Sequence, residues 1–139
     1  MLTVPEYSEQ IFDHMLSTES ALQPSPTFMS TQTEITETMR GILIDWLVEV
    51  HVKFKLLPET IYLTTNLIDR YLTHAKVNRN KLQLVGVASM LIATKYEEIY
   101  APEVRDFVYI TDNAYTADEI LEMEYRILKA LDFDVTTPS

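Results

Sequence analysis

Between Met39 and Val52 the chain reads MRGILIDWLVEVHV, in which only Arg40, Asp45, Glu49 and His51 are polar. At about 100° per residue, a helix of this composition carries apolar surface around nearly its whole circumference. Such a helix belongs in the middle of a bundle, and the rest of the sequence must supply the helices that cover it. The pattern Thr31-x-x-Glu34 is a capping box, in which hydroxyl and carboxylate each satisfy an orphan backbone N–H, so this first long helix is expected from Thr31 to Lys55. Pro58 sits where a first-turn proline belongs, and Ile61, Leu63, Leu67, Ile68, Tyr71 and Leu72 follow before His74. A polar KVNRN loop leads to a third helix, Leu82 to Ile99, whose Gly86, Ser89 and Ala93 form a row of small side chains able to rest closely on the central helix. Ala101-Pro102 breaks the pattern, a short fourth helix ends near Tyr109, and Thr116-x-x-Glu119 is a second capping box, opening a fifth helix to Leu131. Upstream, Tyr7, Ile11 and Met15 mark a short helix over Glu6 to Leu16, followed by a Pro- and Ser-containing linker over Ser17 to Ser30. The expectation is an all-α fold of five helices with one short extra helix at the N-terminus.

Composition then removes whole classes of function. A chain of 139 residues is one domain's worth. Its two glycines, Gly41 and Gly86, cannot build a glycine-rich phosphate loop, and the absence of cysteine removes disulfides, thiol nucleophiles and thiolate metal sites. His14, His51 and His74 have no helical metal-ligand spacing, so neither metal nor cofactor is expected, and no catalytic machinery is visible. Pairs such as Asp118-Glu119 read as first-turn charges that favour the helix dipole. The opening MLTVPEYSEQ lacks a basic region followed by an apolar stretch, and no apolar run approaches the ~20 residues of a membrane span, so an intracellular protein away from membranes is expected. The net charge of −10 divides into −6 for residues 1–39, +4 for 40–96 and −8 for 97–139. Acidic flanks would repel phosphate, which argues against a nucleic-acid partner.

Some polar residues in apolar surroundings require partners. Arg40 shares an arc with Ile44 and Leu47, where an unpaired charge would be costly, and Asp69 in the apolar NLIDRYL segment is the natural counter-ion. Met39, Ile42, Trp46 and Glu49 rise in one line. This line is either plain core or, together with Leu82, Gln83 and Arg79, a shallow apolar groove with charged rims that suits a short peptide. Lys95 and Glu124, taken alone, are solvated or paired surface charges.

Four stretches together carry a resemblance: Met39-Arg-Gly-Ile-Leu-Ile-Asp-Trp-Leu-Val-Glu-Val50, Lys81-Leu-Gln-Leu-Val-Gly86, Lys95-Tyr-Glu-Glu-Ile-Tyr-Ala-Pro-Glu103 and Tyr109-Ile-Thr-Asp-Asn-Ala-Tyr115. They closely resemble the cyclin box of A- and B-type mitotic cyclins, and KYEE with TDNAY leans toward the B type. The resemblance implies an N-terminal helix and linker over 1–30, a first five-helix cyclin box over 31–135, and at 136–139 the start of a connection to an absent second box. It implies a regulatory subunit, not an enzyme, that binds and activates a cyclin-dependent kinase of the mitotic class in the nucleus and cytoplasm. By the same resemblance, Lys95 and Glu124 match residues that hydrogen-bond the kinase backbone. Tyr96, Glu98, Tyr125, Leu128, Phe133, Tyr7 and Ile11 match the surrounding interface. Met39, Ile42, Trp46, Glu49, Arg79, Leu82 and Gln83 match a patch that receives Arg-x-Leu motifs of substrates and inhibitors. Arg40 and Asp69 match a structural ion pair. Gly41 departs from the family's usual alanine. Arg40-Gly-Ile-Leu43 and Arg79-Asn-Lys-Leu82 fit a bare Arg-x-x-Leu degradation pattern but fall on packed helical segments. The alternative use of the same fold is a scaffold of the transcription-factor or pocket-protein kind without kinase activation. A helical enzyme with an unrecognised carboxylate site is the rival from another class.

Overall fold

The first long helix begins at a threonine, but five residues later than its capping pattern places it. The structure is a computed structural model that describes residues 32–136. In it, Thr36 is extended, its hydroxyl accepts from the Met39 N–H at 3.1 Å, and helix α1 runs Glu37–Phe54. Glu34 lies before the helix, where its carboxylate accepts from the Arg79 N–H at 3.0 Å. Thr31 lies outside the described residues, as do the short helix expected over Glu6 to Leu16, the linker after it, Tyr7 and Ile11. Lys55, left-handed at φ 56°, ends α1.

Helix α2, Pro58–His74, starts on its proline. A 3₁₀ turn at Arg79–Lys81 leads into α3, Leu82–Glu97. Asp106 accepts from the Glu103 N–H at 2.8 Å at the start of α4, Val104–Ile110. Helix α5, Ala117–Ala130, opens with the reciprocal pair expected of Thr116 and Glu119, at 3.1 and 2.8 Å. The all-α expectation holds, and no strand occurs among the described residues.

The central position belongs to a different helix from the one expected. Every residue of α3 from Leu82 to Thr94 is buried, whereas α1 leaves Asp45, Val48, Glu49 and Val52 exposed. The physical reason lies in the charges. Asp45 and Glu49 are one helical turn apart and hold that strip of α1 in water, taking the neighbouring valines with them. The first 13 residues of α3 contain no charge at all. Apolar density around a circumference is therefore a weaker sign of centrality than freedom from charge.

The small-residue row of α3 meets α1 at Gly86. A Cβ placed on Gly86 would stand 2.7 Å from Leu43 Cδ1 and 3.1 Å from Leu47 Cδ1, both in fully buried side chains, whereas one on Gly41 would meet nothing within 4 Å. The two glycines therefore have opposite expected responses to alanine. Gly41→Ala should stabilise by about 0.5–1 kcal/mol through helix propensity. Gly86→Ala should destabilise by about 1–2 kcal/mol, because overpacking outweighs the same gain. Urea unfolding midpoints of the two variants measure both.

Long-range polar contacts lock the bundle. Arg40 donates to both oxygens of Asp69 at 2.6 and 2.8 Å, joining α1 to α2, and this hydrogen bonding is the main cause holding the guanidinium pKa above its ordinary value. Gln32 is buried against the C-terminal end of α2. Its amide donates to Leu72 O at 2.6 Å and Ala75 O at 2.5 Å, and its oxygen accepts from the Val77 N–H at 3.0 Å. Arg70 donates to Asp134 O at 2.6 Å and Val135 O at 3.1 Å, holding the segment after α5 against α2. Phe54 and Phe107 meet edge to face, with centroids 5.4 Å apart, joining α1 to α4.

Candidate functional site

Where α3 ends beside the middle of α5, Lys95 Nζ lies 2.8 Å from Glu124 Oε2. The lysine side chain is 53% exposed and the glutamate 13%. The pair is asymmetric: a mostly buried carboxylate is anchored under an ammonium that reaches into solvent. That ammonium keeps two further N–H donors and the carboxylate a second oxygen, so the pair can give to carbonyls and take from amides of an approaching backbone.

Around the pair lies apolar surface that the fold leaves uncovered. Tyr96, Tyr125 and Phe133 are each more than half exposed, and the Tyr125 and Phe133 rings are 6.1 Å apart. Leu128 is half-buried beneath them and accepts the Phe133 N–H on its carbonyl at 2.7 Å. That bond holds Phe133 in the left-handed region at φ 59°, a conformation bulky residues seldom adopt. Chain geometry is thus spent on keeping an aromatic ring on the surface beside Tyr125.

Sequence reasoning missed two exposed apolar residues just past the end of α3 and gave a third residue there an incomplete description. Ile99 was expected inside α3, but the helix stops at Glu97, leaving Ile99 89% and Tyr100 93% exposed. The available signal was Pro102, which biases the preceding residue toward extended backbone and pulls the helix end upstream. Glu98 is half-buried and already engaged: its Oε2 accepts from the Leu57 N–H at 2.7 Å and from the Thr60 hydroxyl, so the carboxylate serves the N-terminal end of α2.

On the other side of α1, Met39, Trp46, Leu82 and Gln83 are buried, Ile42 and Arg79 are half-buried, and Glu49 is exposed. The line is therefore core along most of its depth, with Ile42 and Glu49 reaching solvent. Gln83 Nε2 is buried and has no hydrogen-bond partner among the described residues. A buried amide without a partner costs free energy unless something else accepts its protons.

The model of the cyclin N-terminal domain matches residues 10–136. The chain belongs to the cyclin family. Its relatives include the G2/mitotic-specific cyclin-B of Spisula solidissima, 59% identical over 135 residues, covering 97% of this chain and 31% of that protein. The G2/mitotic-specific cyclin-A of Hydra viridissima is 52% identical over 136 residues, covering 98% of this chain and 32% of that protein. Among solved structures, a viral cyclin from Herpesvirus saimiri superposes with a TM-score of 0.75 at 28% identity, over 91% of this chain and 56% of that one. A- and B-type proteins both match, so the cyclin assignment holds at the level of the mitotic A/B group. The chain spans about a third of the length of the curated relatives it matches. Among the described residues of this cyclin, no helix is long and apolar enough to cross a membrane.

Proposed function

We propose that this chain is the part of a mitotic cyclin that binds a cyclin-dependent protein kinase and switches it on, acting in the nucleus and cytoplasm as a regulatory subunit with no catalysis of its own. The observation that carries the reading is the Lys95–Glu124 bridge between α3 and α5, set among exposed Tyr96, Ile99, Tyr100, Tyr125 and Phe133. A polar pair with spare donors and acceptors inside an aromatic patch has the anatomy of an interface centre. Activation follows by population shift: a surface that binds the kinase only in its catalytically aligned arrangement draws the equilibrium toward that arrangement, by as much as its affinity for the two states differs. Tyr7, Ile11, Leu128 and Glu98 extend this interface in the reading, Glu98 through the α2 end that it braces.

The Met39–Trp46 line supports docking of Arg-x-Leu motifs. Glu49 at the rim would take the arginine, Ile42 and the buried Met39, Trp46 and Leu82 would floor the leucine site, Gln83 would bond the peptide backbone, and Arg79 would close the end.

The test is phosphorylation of a histone-type substrate by a monomeric mitotic-class cyclin-dependent kinase, with and without the chain, alongside a binding titration. Activation is expected. Binding without activation would assign the switch to regions of the relatives beyond this chain, and no binding would overturn the reading in favour of a scaffold. Docking needs a different variant from the obvious one. Trp46 is only 4% exposed, so Trp46→Ala would remove about 3–5 kcal/mol of core packing. Glu49→Gln changes only the exposed charge. It should weaken an Arg-x-Leu peptide about tenfold in fluorescence anisotropy, the scale of one charged hydrogen bond. Unchanged affinity would show that Glu49 does not receive the arginine.

A further inference from the structure

A cavity of about 330 Å³ opens between the 75–81 connection and α5, on neither of the surfaces above. Its charged lining is Lys76, Lys81, Arg126, Glu119 and Glu122. The two acids already have partners inside the protein. Glu119 accepts from the Thr116 N–H at 2.8 Å in the cap of α5, and Glu122 receives Arg126 at 3.1 Å. Lys76 and Lys81 are exposed, and neither makes an ion pair or side-chain hydrogen bond among the described residues. With Arg126 set against Glu122, the cavity keeps Lys76 and Lys81 against the still-charged Glu119, a net of +1 in a chain that carries −10 overall.

A second, independent observation concerns Tyr71. It lines the cavity and is 7% exposed. Burial pushes its pKa up, against a smaller opposing effect from nearby Arg126, so the phenol stays protonated and offers a donor. Val77, Leu84 and Met123 supply an apolar wall. A phenolic donor, two free ammonium groups and part of a guanidinium beside apolar surface form a receptor for an anionic group on a carbon-rich chain.

We propose that this cavity binds a phosphoserine side chain of a docked peptide. The choice of a peptide rests on the docking reading above. Asn78 of the cavity also lines an adjoining depression with Glu34, Arg79 and Asn80, and Arg79 is the end of the Arg-x-Leu groove. One peptide can therefore run from groove to cavity across Arg79 and Asn78.

The test uses the whole chain and short fluorescent glycine-serine peptides without an Arg-x-Leu motif, each carrying a central phosphoserine, glutamate or serine flanked by leucines. The phosphoserine peptide should bind at least about tenfold more tightly than the serine peptide, with glutamate between them, the ordering expected of charge-assisted hydrogen bonds. Lys76→Ala with Lys81→Ala should abolish the preference. Tyr71→Phe, which keeps the ring packing, should reduce it about threefold with an unchanged melting temperature, as removal of one neutral hydrogen bond would. Equal affinity for the phosphoserine and serine peptides, or a preference that survives the double lysine variant, would overturn the proposal. Inorganic phosphate competing as effectively as the peptide would overturn the peptide part, leaving a site for free anions. Because these peptides lack Arg-x-Leu, failure of the Glu49→Gln experiment with success here would count against the docking groove alone.

Discussion

Alanine at both Lys95 and Glu124 is expected to lower kinase affinity by about 3 kcal/mol, on the order of a hundredfold, while the helical content stays that of the parent. In the proposed interface each residue would give a charged hydrogen bond to a partner backbone, and such bonds contribute about 1.5–3 kcal/mol when desolvated. The pair matters less to the fold, because Lys95 is half in water and an exposed bridge contributes about 0–1 kcal/mol. The single variants should separate the two roles. Lys95→Ala strands a carboxylate that is 13% exposed, whereas Glu124→Ala leaves an ammonium already able to reach solvent. Lys95→Ala should therefore destabilise more than Glu124→Ala, and the double variant less than the sum of the two. Titration calorimetry against the kinase gives the binding half, and urea unfolding the stability half. Loss of helicity in the double variant would show the pair to be structural.

Gln32→Ala is expected to be the most damaging polar substitution for stability, at about 2–4 kcal/mol. One side chain satisfies Leu72 O, Ala75 O and the Val77 N–H, and the first and last of these bonds are buried. Buried groups left unpaired cost about 1–3 kcal/mol each, with the more accessible Ala75 carbonyl recovering part of its bond from water. Gln32→Glu is the sharper control, since a carboxylate would face two carbonyl oxygens where the amide donated to both. It should be at least as destabilising at neutral pH, and a loss below about 0.5 kcal/mol in either variant would mean that water replaces the side chain fully. Amide hydrogen exchange at Val77 should accelerate in both.

The sequence carried the number and order of helices because each has a local signature: a proline at Pro58, a reciprocal cap at Thr116 and Glu119, apolar periodicity between them. It misplaced the start of α1 because Thr31 and Thr36 can each cap a helix, and only tertiary contact decides. Glu34, the partner that made Thr31 attractive, bonds the Arg79 backbone 45 positions away. It also exchanged the central helix, because valines at a solvent edge look like core when counted by composition. Arg40 and Asp69 could be matched from the cost of burying one charge. Lys95 and Glu124 could be singled out only by resemblance, since a lysine near a helix end and a mid-helix glutamate look ordinary until the fold sets them 2.8 Å apart. The cavity beside Tyr71 had no signal of its own, for its parts come from three separated segments.

The contact of Gly86 with Leu43 and Leu47 has a mechanical consequence. Both leucines occupy the space that a side chain at Gly86 would need, so close packing at this point resists sliding of α1 along α3. The groove side of α1 and the Lys95 end of α3 are thereby kept at a constant separation, like two marks on a ruler. A substrate held at one mark would meet a kinase held at the other at an effective concentration fixed by the length and stiffness of its own intervening chain, and choice among substrates would pass from the cyclin to the spacing written into each substrate.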